Sequence, residues 1–106
     1  MKAKEFLDLV RDVSGAEPHK RERGADEVPD RLSAYSPVEA AALATLLAAA
    51  AACEKSPSAL EAQLHAILEM TSTGHVEGSH LTHLREIHLE ELPEELRGYV
   101  TDLLEG

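Results

Sequence analysis

Apolar side chains recur along most of this chain with helical spacing. Residues 3–13 carry Phe6, Leu7, Leu9, Val10 and Val13 with charges between them, which predicts an amphipathic helix ended by Ser14 and Gly15. Residues 14–35 lose that period and contain Pro18, Gly24 and Pro29, so they read as a long polar connection with one short turn near residues 30–34. Ser36-Pro37-Val38-Glu39 is a helix start: Ser36 caps, Pro37 suits the first helical position and Glu39 completes a capping box. The helix that follows, residues 37–53, is apolar nearly all round, which predicts a central buried element.

Ser56 and Pro57 open a helix over 57–72, with Ser58 and Glu61 as an alternative capping pair and Leu60, Leu64, Ile67 and Leu68 as its stripe. Gly74 stands where a left-handed C-terminal cap belongs. Leu81, Leu84, Ile87 and Leu89 predict a fourth helix over 78–89. Pro93 opens a fifth over 93–104, with Leu92, Leu96, Tyr99, Val100, Leu103 and Leu104 in register. Gly98 inside that last helix predicts a close crossing with a neighbour. No segment reads as a strand.

The pattern therefore predicts one all-α domain over 1–106. About five helices form antiparallel hairpins, packed as a small bundle or a short helical-repeat array. The predicted core is Leu7, Val10, Leu43, Leu46, Leu47, Leu64, Ile67, Leu68, Leu84, Leu96, Val100 and Leu103. Phe6, Tyr35 and Tyr99 are the only aromatics, so the core must be aliphatic.

Composition changes this picture through charge. Twenty acidic against ten basic side chains give a formal charge of −10. The excess is uneven. Residues 1–60 carry ten acids and eight bases; residues 61–106 carry ten acids and only Arg85 and Arg97. Such a field repels nucleic-acid phosphates and anionic lipid and favours a basic protein partner. The basic knot Lys20, Arg21 and Arg23 is diluted by Glu17 and Glu22 and reads as part of a solvated loop.

Candidate chemistry is sparse. His75, His80, His83 and His88 fall close together, but only His80 and His83 share a helical face, and no His-Glu-x-x-His motif is present. They read as surface histidines, with no metal and no cofactor. Cys53, the single cysteine, allows no internal disulfide and sits at the negative pole of a helix, which works against a thiolate nucleophile. It reads as a small buried apolar residue. No phosphate loop or nucleophile elbow occurs, so no catalytic residue is assigned. The N-terminus has no long apolar stretch behind its lysines, and residues 40–53 are too short to span a bilayer, which points to a cytoplasmic protein.

What remains is the acidic second half. Glu86, Glu90, Glu91, Glu94, Glu95 and Asp102 crowd the predicted turn between the last two helices and the helix after it. Like charges this close repel, and the dipole of the last helix accounts only for Glu94 and Glu95. These six are the candidate partner-binding residues.

The stretch Gly74-His75-Val76, then Leu81, Leu84 and Ile87, then Leu92-Pro93-Glu94-Glu95-Leu96-Arg97, Tyr99 and Leu103-Leu104 resembles the C-terminal end of small all-helical immunity proteins of bacterial polymorphic toxin systems. The resemblance spans residues 56–106 and carries caps and core positions. It implies a cytoplasmic protein that silences a toxin domain by binding a basic surface on it. The competing expectation is a structural or regulatory adaptor, whose apolar helix groove holds a partner helix or a second copy.

Overall fold

The computed structural model describes residues 1–105 and is helical throughout, with no strand among them. Five α-helices, α1 (Ala3–Val13), α2 (Pro18–Glu27), α3 (Pro37–Cys53), α4 (Pro57–Thr71) and α5 (Glu94–Glu105), are joined by 3-10 segments at Pro29–Ala34, Gly78–Glu86 and Leu89–Glu91. No helix among them is long and apolar enough to cross a membrane.

The helix starts follow local chemistry. Ser36 accepts from the Glu39 N–H at 3.1 Å while the Glu39 carboxylate accepts from the Ser36 N–H at 2.8 Å, the reciprocal box that the sequence predicts. Pro57 opens α4 behind a Ser56 cap. Gly74 takes a φ of +79°, the left-handed turn expected after α4.

Two elements differ from the sequence reading. Residues 18–27 form α2 rather than part of a connection. Pro18 at the first helical position allows this start, and Lys, Arg, Glu and Ala propagate it. No apolar stripe advertised the helix, because only Gly24 and Ala25 of it are buried. Residues 78–86, expected as α, are 3-10. Leu81 and Leu84 are buried and Ile87 half-buried, and their spacing of three matches a helix with three residues per turn. A His80 ring nitrogen, Nδ1, accepts the Glu77 N–H at 2.9 Å and closes its first turn.

α4 is the most enclosed element, packing against α2, α3 and α5 and burying eight of its fifteen residues. α3 is not the wholly buried helix expected. It buries one stripe, Ala40, Leu43, Ala44, Leu47, Ala48 and Ala51, against α4 and the Gly78–Glu86 segment. Most of the predicted core is inside, but Leu7 is 64% exposed and Leu68 41%. The inward stripe of α1 is Phe6, Leu9, Val10 and Val13, and Leu7 stands one position off it, aligned with Arg11 and Ser14. The stripe of α4 centres on Leu60, Gln63, Leu64, Ile67 and Met70, which leaves Leu68 at its edge.

The close crossing is not at Gly98, where an added Cβ would meet nothing within 4 Å. It is at Gly24, where a Cβ would stand 3.0 Å from both Asp12 Cβ and the Val13 nitrogen. There α2 lies against the end of α1.

One polar group ties these helices together. The Glu54 side chain, at the end of α3, is fully buried. Its Oε1 accepts from Arg21 Nε at 2.7 Å and Gln63 Nε2 at 2.8 Å. Its Oε2 accepts from Arg21 Nη2 at 2.8 Å, the Ser56 N–H at 3.1 Å and the Lys55 N–H at 3.2 Å. Arg21 Nη1 also donates to the carbonyls of Gly15 and Ala16, both at 2.9 Å. Arg21 therefore belongs to a structural hub and not to a solvated loop.

Burial pushes the Glu54 carboxyl up, but the bonds from Arg21, the Ser56 N–H and Gln63 together outweigh it, and the group is held below the ordinary glutamate value. A carboxyl depressed on folding contributes stability above its unfolded pKa and loses it as the pH falls. Arg21→Ala should strand the buried carboxylate and cost about 3–5 kcal/mol in denaturant melts at neutral pH. Glu54→Gln should lower stability at neutral pH and make its loss in acid shallower than in wild type. An unchanged acid limb would remove Glu54 from that role.

The glycines give an opposed pair. Gly24→Ala should destabilise by about 1–3 kcal/mol through overpacking, whereas Gly98→Ala should stabilise by up to about 1 kcal/mol through helix propensity. Thermal melts of the two variants shifting in the same direction would contradict the placement of the crossing.

Candidate protein-interaction surface

The six acidic residues singled out in the sequence are all exposed. The elements that present them are short and anchored from below. Leu81 and Leu84 bury the underside of the 3-10 segment Gly78–Glu86, and Leu96, Val100 and Leu103 bury the inner face of α5. Glu86 ends Gly78–Glu86, Glu90 and Glu91 lie in Leu89–Glu91, and Glu94 and Glu95 form the first turn of α5. Asp102 stands seven residues after Glu95, so the two share one edge of that helix, roughly 10 Å apart along its axis. Asp102 borders a depression with Leu68, Val76 and Leu103, while Glu91 borders another with Lys55, Leu60 and Pro93. The acids thus spread over two flanks of the molecule's second half.

Their electrostatics are largely uncompensated. Glu86 meets His83 Nδ1 at 2.7 Å and Glu90 meets His88 Nδ1 at 3.5 Å. Among the described residues, no carboxylate of 61–105 pairs with a lysine or an arginine. The ion pairs with lysine or arginine fall in the first half, where Arg11, Arg21 and Arg31 meet Asp8, Asp12, Glu54 and Glu27.

Three of the four clustered histidines have partners of their own. His80 closes a helix turn, His83 and His88 face glutamates, and His75 is exposed. Among the described residues, no three side chains of the metal-ligating types converge. Cys53 is exposed, not buried as its sequence context suggested. It lies past the inward stripe of α3 and borders a depression of about 460 Å³ with Gly15, Arg21 and Leu46.

The structure adds a feature that the sequence concealed. Glu22 and Asp26 of α2, Glu61 and His65 of α4 and Tyr99 of α5 surround a depression of about 400 Å³. Its three carboxylates make no ion pair among the described residues. Glu22 and Asp26 lie in the segment read as a connection, far along the chain from Glu61. Their helical spacing of four was the available signal.

The chain matches no protein-family model, no curated protein and no solved structure.

Because the acidic side chains are exposed and unpaired with lysine or arginine, they carry little of the fold. Replacing Glu90, Glu91 and Glu95 with Lys relieves repulsion, while reversing Glu95 loses a favourable contact with the α5 dipole worth about 0.3–1 kcal/mol. The triple variant should keep the wild-type circular dichroism spectrum and stay within about 1 kcal/mol of its stability. A loss of several kcal/mol in urea melts would show that these carboxylates hold structure.

Proposed function

We propose that this chain is a non-catalytic protein-binding module of immunity type, which neutralises a toxin domain in the cytoplasm by covering a basic surface with its carboxylates. One observation carries the reading: the acids of residues 61–105 are presented to solvent without a lysine or arginine partner among the described residues. A surface of this kind attracts a basic partner over a Debye length and accelerates encounter. The resemblance of residues 56–106 to helical immunity proteins agrees with it. Glu86, Glu90, Glu91, Glu94, Glu95 and Asp102 are the contact residues of this proposal. The depression between Glu22, Asp26 and Glu61 is a receptacle for a basic side chain, with the Tyr99 ring at its border to face the cation.

A second reading, an adaptor that binds through an apolar groove, is favoured by the uncovered side of α3. There Val38, Ala42, Leu46 and Ala49 line a concavity of about 640 Å³.

The two readings differ in their salt dependence. Calorimetric titration of a purified partner at low and high salt should show wild-type affinity falling as salt rises. The Glu90→Lys, Glu91→Lys, Glu95→Lys variant should bind on the order of 100-fold more weakly, about 3 kcal/mol. Equal affinities without salt dependence would exclude the acidic surface and favour the groove.

A further inference from the structure

α4 and α5 lie side by side and run in the same direction. Their starts meet around Pro57 and Pro93, and their far parts meet around Leu68 and Leu103. Glu61, His65 and Leu68 form one exposed row along α4 beside this seam. Two depressions follow one another there. The first is the acidic one of about 400 Å³, bordered by Glu61 and His65 of α4 and Tyr99 of α5. The second, of about 330 Å³, begins one turn further along both helices, at Leu68 and Asp102. Leu68, Val76, Leu81 and Leu103 make it apolar, and the exposed carboxylates of Glu77 and Asp102 stand at its rim.

We propose that this seam is a docking groove for a basic amphipathic helix of a partner protein, which sets an arginine or lysine in the first depression and an aliphatic side chain in the second. The proposal rests on the acidic-surface reading and narrows it to one groove and one kind of guest.

Charge sets the sign of the guest. Glu22, Asp26, Glu61, Glu77 and Asp102 border the two depressions, and none of them forms an ion pair among the described residues. His65 is turned to Glu69, 3.8 Å away. No lysine or arginine borders either depression. A cation seated in the first meets three carboxylates and the Tyr99 ring. An anionic guest, or a second copy of a −10 chain, meets repulsion at both.

The apolar half sets the rest. Leu68 is 41% exposed, one of three large apolar side chains left in water among the described residues. A small cation would answer the first depression and leave Leu68 uncovered. A helix pairs its own backbone groups over an apolar floor. An extended peptide would leave them unpaired, because no strand among the described residues offers an edge. A third helix also settles readily into the seam between two others, with its apolar face inward.

Spacing fixes the pattern on the guest. Along α4 the first depression centres on Glu61 and Ala62 and the second on the stretch from Leu68 to Thr71, about 11 Å further on. Two residues seven apart on a guest helix share a face at a separation of about 10 Å. The expected guest therefore carries a base and a leucine seven positions apart, with a second base one turn beyond the leucine to meet Glu77 and Asp102.

Two alanine-based helical peptides of about 18 residues and identical composition test this. In one, Arg, Leu and Lys stand at i, i+7 and i+11 and share a face; in the other the Leu moves to i+9 and faces the opposite way. Each is titrated into the full chain and followed by methyl and aromatic NMR. The same-face peptide should bind about tenfold more tightly than the other, and it should shift the signals of Leu68, Val76, Leu103 and Tyr99 together. Leu68→Gln, at an exposed position, should keep the circular dichroism spectrum and abolish the preference between the peptides. Asp26→Asn with Glu61→Gln should weaken both peptides and reduce their salt dependence. Equal binding of the two peptides to wild type overturns the groove and leaves the acidic-surface reading standing. Shifts confined to Val38, Ala42 and Leu46 overturn it as well, because they place the guest on α3. Absence of binding by either peptide at low salt also overturns the groove, while titration with a purified partner decides the acidic-surface reading separately.

Discussion

The fold depends on a carboxylate that has no water. Glu54 ends α3 with its side chain fully buried, and five N–H groups converge on its two oxygens. An ionised group in that position is tolerable only when paired and hydrogen-bonded, and Arg21 supplies both with a two-pronged contact. Arg21 in turn satisfies the carbonyls of Gly15 and Ala16, so one guanidinium joins the α1–α2 turn to the α3–α4 turn. Gln63 adds α4 to the same hub. Its orientation follows from the carboxylate, since the reverse would set the amide oxygen against Glu54. That orientation leaves Gln63 Oε1 buried and without a partner, a cost of about 1–3 kcal/mol. The hub stabilises less than its number of bonds suggests, because desolvation offsets much of the attraction. It holds α2 to the α3–α4 turn and, through Gln63, to α4.

That docking shapes the surface. α2 carries little apolar area; it packs against α4, crosses the end of α1 at Gly24 and is tied by Arg21 to Glu54 at the end of α3. Once it is in place, Glu22 and Asp26 face Glu61 across a shallow depression, and the first half of the molecule acquires an acidic concavity despite its near balance of charge. The second half is acidic for a different reason. Its carboxylates stand on 3-10 turns and the first turn of α5, where the available bases are two arginines and histidines. The uncharged side of α3 ends at Glu54 and Lys55, which also border the depression that Glu91 flanks.

Much of this was legible in the residues themselves. The Ser36–Glu39 box, the prolines at helix starts, the left-handed Gly74 and the stripes of α4 and α5 are local features, set by neighbours within a turn or two. Their physics is the same in the sequence as in the fold. The exposure of Glu86, Glu90, Glu91, Glu94, Glu95 and Asp102 was legible for a similar reason: unpartnered charges stay in water. Leu7 and Leu68 were misplaced because a stripe has edges, and the pattern along one helix does not say how far its neighbour reaches. Cys53 was misplaced on the same ground.

By itself the sequence determined that the chain is helical, where most of its helices begin and which half carries the negative charge, since propensity, capping and composition act at short range. The tertiary structure alone decided that residues 18–27 are a helix, that residues 78–86 wind three to a turn, and which side of α3 is left open. Each of these depends on a partner distant in the chain. Arg21 finds Glu54 across 33 positions. Gly24 fits against the end of α1, and the segment Gly78–Glu86 packs on α3. A residue's own neighbours in sequence carry no record of such partners, because contacts of that range exist only once the chain has closed on itself.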